Sequence, residues 1–161
     1  MSSALEFAET GHLCMATLHA NSARQAFNRI LSMFPSEMEK GLLMQISMGL
    51  VGIISQRLVK TVDGGRAACL EILRNNVYIS KMIMEGRLDE IRSALEKFEA
   101  EGMQTFDMHL FKMFEDKIID EETALSLADS QNNMSQKINN YNLQNGQRPE
   151  NKLKYASLDL D

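Results

Sequence analysis

The sequence predicts an α/β fold followed by a run of helices, and three observations support this class. The run at 13–18 is apolar without polar alternation, which is typical of a strand buried on both faces of a parallel sheet. Two strand-like runs, 53–62 and 66–73, flank an Asp-Gly-Gly turn at 63–65 and indicate a β-hairpin that extends the same sheet. After Asn76 the apolar residues recur at helical spacing.

Helices also surround the predicted first strand. The segment from Ala4 to Glu9 is typical of the end of a helix, and Gly11 supplies a C-terminal stop. A clean apolar stripe at helical spacing begins at Ala23, directly after two residues that are good N-caps. Pro35 ends that helix, and a further helix extends to about residue 50.

Composition divides the chain into three parts. Residues 1–74 carry the predicted strand, the first helices and the hairpin, and residues 75–129 form an acidic helical part. Between 85 and 129 there are 13 acidic and 5 basic residues, a net charge of −8, which indicates solvated helices or, alternatively, a docking face for a basic partner. Residues 130–161 hold seven asparagines and four glutamines, which predicts a polar, disordered tail, weakly helical at its start, that supports no core.

The overall composition argues against several classes of protein. A formal charge of −5 over 161 residues is unlike a nucleic-acid binder, which normally carries a clustered basic excess. Cys14 and Cys69 are too few for a disulfide framework, so a reduced, cytosolic compartment is the expectation. The most apolar stretch, 42–54, is shorter than the roughly 20 residues that span a bilayer, and no signal peptide precedes it. We therefore expect no transmembrane segment.

Three histidines are candidate functional side chains. His19 follows the predicted strand at its carboxyl end and precedes a helix, where an imidazole and a helix N-terminus are placed to meet a phosphate. The alternative is a histidine that only helps to cap the helix. His12 lies seven positions earlier, so on one strand the two side chains point to opposite faces and share no zinc ion. His109 lies between apolar helical positions, and we expect it to be partly buried and structural.

Four segments carry a resemblance to a known family. The segment 9–23, E-T-G-H-L-C-M-A-T-L-H-A-N-S-A, closely resembles the His box of secretion and pilus-motor ATPases. Phe34-Pro35, I-S-Q-R-L at 54–58 and G-M-Q-T-F-D at 102–107 match the same family in the same order. The resemblance covers about residues 4–130 and is closest to the retraction motors of twitching motility, the PilT/PilU type. The helix after the hairpin lacks two arginines of the PilT pattern, which resembles the PilU type more.

This resemblance implies both a fold and a site. The fold would be the C-terminal half of a RecA-like, three-layer P-loop NTPase domain with a helical subdomain behind it. His12 and His19 match the His box, where they would couple the γ-phosphate to subunit movement. Gln56 and Arg57 match the S-Q-R-L segment, which in the family lies near the nucleotide. The alternative for Arg57 is an outward-facing strand arginine.

The resemblance also implies a parent protein that is longer than this chain. That parent would bind ATP and magnesium, form a hexameric ring with its own copies or with a paralogous retraction ATPase, and contact a platform protein of the inner membrane. It would lie in the cytoplasm, peripheral to that membrane, and drive pilus retraction.

The sequence itself lacks the motifs that hold a nucleotide. It contains no Gly-Lys pair, so it has no phosphate-binding loop, and no strand typical of a Walker B motif. We therefore expect a fragment that is inactive alone and binds ATP poorly. The alternative is a non-catalytic interaction module, derived from such a motor, that binds a partner ATPase ring.

Overall fold

The computed structural model describes residues 2–146, which form a β-hairpin surrounded by helices. None of the helices in this range is long and apolar enough to cross a membrane. Short 3-10 turns at Ser36–Met38, Leu88–Glu90 and Glu99–Glu101 flank two of the helices. The helices are α1 (Ser2–Glu9), α2 (Ala23–Leu31), α3 (Glu39–Gly49), α4 (Val77–Met84), α5 (Ile91–Lys97), α6 (Phe106–Glu115), α7 (Glu121–Leu127) and α8 (Gln131–Gln144), and the strands are β1 (Gly52–Lys60) and β2 (Arg66–Arg74).

The end of α1 and the start of α2 lie where the sequence predicts, whereas α2 ends at Leu31, before Pro35, and α3 begins only at Glu39. α1 ends at Glu9, and Gly11 follows with a φ of 88°, a left-handed conformation that glycine adopts without steric cost. Ser22 caps α2 because its hydroxyl oxygen accepts a hydrogen bond from the Gln25 N–H at 3.2 Å. α2 then buries one face, which includes Phe27.

β1 and β2 form the predicted antiparallel hairpin, with Gly64 in its turn at a φ of 84°. Ser55 and Glu71 are cross-strand partners on the buried face. Ile54 and Leu58 lie on the opposite face of β1 and are exposed, because successive residues of a strand alternate between its two faces. The hairpin therefore has one side in the core and one side open.

The buried side chains form two hydrophobic clusters, and the hairpin contributes to both. The first cluster lies among α2, α3, α4 and α5, and β2 adds Leu73 to it. The second lies among α6, α7 and α8, and the hairpin adds Val59 and Cys69 to it. The hairpin thus joins two groups of helices. Besides Leu73, the fully buried large side chains are Phe27, Ile79, Met82, Ile83, Leu95 and Met103 in the first cluster and Phe106, Leu110, Ile119, Met134 and Ile138 in the second.

The prediction of a buried strand at 13–18 is wrong. Among the described residues the sheet consists of β1 and β2 alone, so the hairpin does not extend a sheet that includes 13–18. Leu13 is 78% exposed and Met15 is 91% exposed. A strand needs hydrogen bonds from a neighbouring strand, and neither described strand pairs with this segment. Its apolar composition therefore does not produce a strand here.

The prediction of a tail that supports no core is also wrong for residues 131–144. These residues form α8, in which Met134, Ile138 and Asn142 are buried. The three positions are four residues apart, so they lie on one face of the helix, and the other asparagines and glutamines lie mostly on the exposed side. One apolar stripe is enough to dock a helix. The remainder of the predicted tail, 147–161, lies outside the described residues.

Replacing Ile138 by alanine tests whether α8 belongs to the core. Ile138→Ala is expected to lower the free energy of unfolding by about 2–4 kcal/mol, because the side chain is fully buried and its loss leaves a cavity. Urea unfolding followed by circular dichroism measures the change. Asn140→Ala, on the exposed side of the same helix, is the control and should alter the stability by less than about 0.5 kcal/mol. Equal stabilities of the two variants would contradict the packing of α8.

Candidate functional site

His19 lies in a loop that is tied to the start of α2. We call residues 18–22 the His19 loop. Within this loop the Ala20 N–H donates a hydrogen bond to the Leu18 carbonyl at 2.9 Å. The Asn21 N–H donates to Oε1 of Gln25, also at 2.9 Å. The His19 side chain is exposed. Because Gln25 belongs to the first turn of α2, the loop and that turn are held together as one unit.

A buried carboxylate of the hairpin holds the start of α2. Oε1 of Glu71 accepts a hydrogen bond from the Ala23 N–H at 2.7 Å, and Glu71 is only 7% exposed. Its cross-strand partner Ser55 lies on the same buried face of the hairpin. The first turn of a helix carries unpaired N–H groups and a partial positive charge, so a carboxylate is a favourable partner there. The Ala23 N–H, at the helix end that the sequence suggested for a phosphate, is therefore occupied by Glu71.

Burial changes the ionisation of this carboxyl. Its removal from water raises the pKa of Glu71 above the ordinary value of 4.5. The N–H of Ala23 and the positive charge of Arg57 oppose that rise in the pKa, and the negative charge of Asp129 adds to it. Glu71 thus holds its proton to a higher pH than an exposed glutamate does.

Arg57 and Gln56 lie on opposite faces of β1. Nη1 of Arg57 is 2.8 Å from Oδ1 of Asp129, and its guanidinium carbon lies 3.8 Å from the centre of the Phe106 ring. Gln56 is exposed on the other face. The structure therefore does not bring the two side chains together, and it gives Arg57 two partners within the chain.

A second buried carboxylate lies beside Asp129, the partner of Arg57. Asp107, at the start of α6, is 10% exposed in its side chain and pairs with Nη2 of Arg92 at 2.5 Å. It also accepts the N–H of Asp129 at 2.7 Å and the N–H of Ser130 at 3.1 Å. The turn between α7 and α8 is thereby fastened to α6, which holds Asp129 in place for Arg57.

The other titratable groups have structural surroundings. His12 is exposed, and its Nδ1 lies 3.0 Å from the Thr10 hydroxyl. His109 is partly buried, as predicted, and its Nδ1 accepts the Leu70 N–H at 2.8 Å. Burial raises the pKa of the Cys69 thiol to about 11, so this group stays protonated and unreactive. Within residues 2–146 no three side chains of metal-ligating type are grouped to hold a metal ion.

Sequence reasoning identified the exposed His19 but missed the two buried carboxylates. Glu71 and Asp107 are the residues that organise this region, and both act on backbone N–H groups that lie far away in the sequence. Asp107 does belong to the G-M-Q-T-F-D segment, which was a usable signal of its importance. The alternation of β2, which places Glu71 on a buried face, was the only signal for Glu71.

The sequence and the fold match a class of secretion and pilus ATPases. The chain belongs to the family described as Type II/IV secretion system protein, which matches residues 1–139. The type IV pilus ATPase PilU of Pseudomonas aeruginosa is 42% identical over 135 residues, covering 83% of this chain and 35% of that protein. The type IV pilus retraction ATPase PilT of the same organism is 37% identical over 121 residues, covering 75% and 35%.

The solved structures support the same class. The crystal structure of the pilus retraction motor PilT with bound ADP has a TM-score of 0.73 and 32% identity, covering 84% of this chain and 38% of that chain. The ATPase DotB of Legionella pneumophila has a TM-score of 0.65 and 32% identity, covering 76% and 33%. These similarities confirm the α/β class and the resemblance to PilT/PilU-type ATPases. The chain spans about a third of the length of these relatives.

Because the pKa of Glu71 is raised in the folded state, its contribution to the stability of the chain should decrease as the pH rises. The folded state holds the Glu71 proton more tightly than the unfolded state, so this contribution to stability is complete below the unfolded pKa and is lost as the pH rises through the folded pKa. The free energy of unfolding of the wild type should therefore fall, relative to Glu71→Gln, as the pH rises past the ordinary glutamate pKa of 4.5. Urea unfolding at a series of pH values measures both proteins. Parallel curves above this pH would contradict the raised pKa.

Proposed function

We propose that this chain is the C-terminal third of a type IV pilus retraction motor, of the PilU kind. The complete motor would form a hexameric ring, hydrolyse ATP with magnesium, and couple this reaction to pilus disassembly at the cytoplasmic side of the inner membrane. The observation that carries the proposal is the similarity to the PilT motor, at 32% identity and a TM-score of 0.73 over 84% of this chain. Its partners would be further motor subunits, its own or paralogous, and the platform protein of the pilus.

The described residues do not by themselves fit a nucleotide. Glu71 already occupies the Ala23 N–H at the start of α2, and Asp129 and Phe106 already engage Arg57. The chain also has no phosphate-binding loop. In the proposed motor the remaining two thirds would therefore hold the nucleotide.

The contribution of this chain would be the exposed His19. An imidazole near a terminal phosphate distinguishes a triphosphate from a diphosphate, because the terminal charge departs on hydrolysis. His12 lies just after α1 and contacts Thr10 and the Phe7 ring of α1, and it would serve a neighbouring element or subunit.

A second candidate function is that of a non-catalytic module that binds a partner ATPase ring. The apolar exposed face of β1, which includes Ile54 and Leu58, favours it. In this case the surfaces of the motor persist and the partner supplies the chemistry. The two functions differ in whether the coding sequence upstream of Met1 continues in frame to a G-x-x-x-x-G-K-[ST] motif.

The isolated 161-residue chain is expected neither to hydrolyse ATP nor to bind it with useful affinity. A phosphate-binding loop supplies several converging N–H groups and a lysine, and His19 with Arg57 cannot replace them. Phosphate release and isothermal titration with ATP and magnesium measure the two properties. The His19→Ala chain is the control for contaminating activity. ATP turnover by the wild-type chain above that of this control would overturn the proposal that this chain needs the rest of the motor for activity.

In the complete motor, His19→Ala should lower ATP turnover and pilus retraction together while leaving nucleotide affinity within about threefold of the wild type. A side chain that responds to the terminal phosphate contributes little to binding the base and the inner phosphates. Steady-state ATPase assays, nucleotide titration and twitching assays measure the three properties. Loss of nucleotide binding, or retraction at the normal rate, would remove the sensor role.

A further inference from the structure

The hydrogen bond between Glu71 and Ala23 connects two distant parts of the chain. It spans 48 residues of sequence and is buried at both ends, since Ala23 is fully buried and Glu71 is nearly so. Glu71 lies inside β2 and pairs across the hairpin with Ser55, so its backbone has a defined position on the hairpin. The start of α2 is therefore located by the hairpin rather than by its own sequence alone.

A short chain of contacts leads from this bond to His19. Ala23 is the first residue of α2, and Ser22 immediately before it caps the helix through the Gln25 N–H at 3.2 Å. The side chain of Gln25 accepts the Asn21 N–H at 2.9 Å. Each link is a hydrogen bond or a peptide bond, so a shift of the first turn of α2 is transmitted to the His19 loop.

We propose that Glu71 is a positioning residue for His19. The hydrogen bond from Ala23 to Glu71 sets the position of the His19 imidazole relative to the rest of the motor. This inference rests on the proposed role of His19. Glu71 does not touch the nucleotide, and it acts by fixing the first turn of α2 and the loop before it.

The energetics favour a positioning role over a stabilising one. Burial of the carboxyl is unfavourable for its charged form, as the raised pKa of Glu71 shows. An apolar side chain of similar length would avoid that cost, although it would leave the Ala23 N–H without an acceptor. What the carboxyl supplies, and an apolar side chain does not, is a fixed acceptor for the helix start.

The test compares two substitutions of similar shape in the complete motor. Glu71→Met removes the acceptor of the Ala23 N–H. Glu71→Gln keeps an acceptor oxygen on a side chain of the same length. We expect Glu71→Met to lower kcat for ATP about tenfold with KM changed less than about twofold, and Glu71→Gln to keep at least about half of the wild-type kcat. Glu101→Met is the matched control, because Glu101 is an exposed carboxylate bonded to Asn76, and it should leave kcat unchanged. Equal kcat in the Met and Gln variants overturns the inference.

A double-mutant cycle separates positioning from general damage. In a His19→Ala background, Glu71→Met should lower kcat by less than about twofold further, because its effect runs through His19. Additive losses overturn the positioning role. If His19→Ala alone leaves turnover normal, the proposed function of His19 fails instead, so the two failures are distinguishable.

A measurement on the 161-residue chain tests the inference even if the complete motor with Glu71→Met does not fold. In nuclear magnetic resonance spectra of the wild type, the amide signals of Ala23 and Asn21 should follow one titration with a midpoint above the ordinary glutamate pKa of 4.5. That titration should vanish in Glu71→Gln. An Asn21 signal that does not follow Ala23 means that the loop does not sense Glu71, and it overturns the inference.

Discussion

The register of the β1–β2 hairpin is the constraint on which the rest of the molecule depends. It places Leu73, Glu71, Cys69 and Val59 on one buried face, so that the strand pair runs from the first hydrophobic cluster to the second. Between the two clusters lies Glu71, which reaches the start of α2. A slip of one residue would turn all of these side chains to the open face, and both helix groups would lose their common support. The site is therefore built on the hairpin rather than beside it.

Features that depend on neighbouring residues could be predicted from the sequence. The N-cap at Ser22 and the turn at 63–65 each need only a few adjacent side chains, and both are present as predicted. The strand prediction at 13–18 failed because pairing depends on another strand, which local apolarity does not specify. α8 was missed because its many asparagines and glutamines hide a narrow stripe formed by Met134 and Ile138.

The candidate site depends on long-range partners, which explains why only its exposed part was predicted. Glu71 and Asp107 satisfy backbone N–H groups 48 and 22 residues away, and such partners become visible only in the folded chain. Each hydrogen bond contributes a net stability of only about 1 kcal/mol, but a buried N–H left without an acceptor costs about 1–3 kcal/mol. The main role of the two carboxylates is therefore to fix the start of α2 and the turn before α8. The same turn holds Asp129, which explains why Arg57 has a partner inside the chain.

The measurement that tests the account most directly is a structure of the complete motor with a non-hydrolysable ATP analogue bound. The account predicts that the His19 imidazole lies within about 4 Å of a terminal phosphate oxygen, directly or through one water, while the bond between Glu71 and Ala23 is kept. It also predicts that the phosphate-binding loop comes from the part of the motor outside this chain. A nucleotide bound far from His19, or held by the start of α2 in place of Glu71, would contradict it.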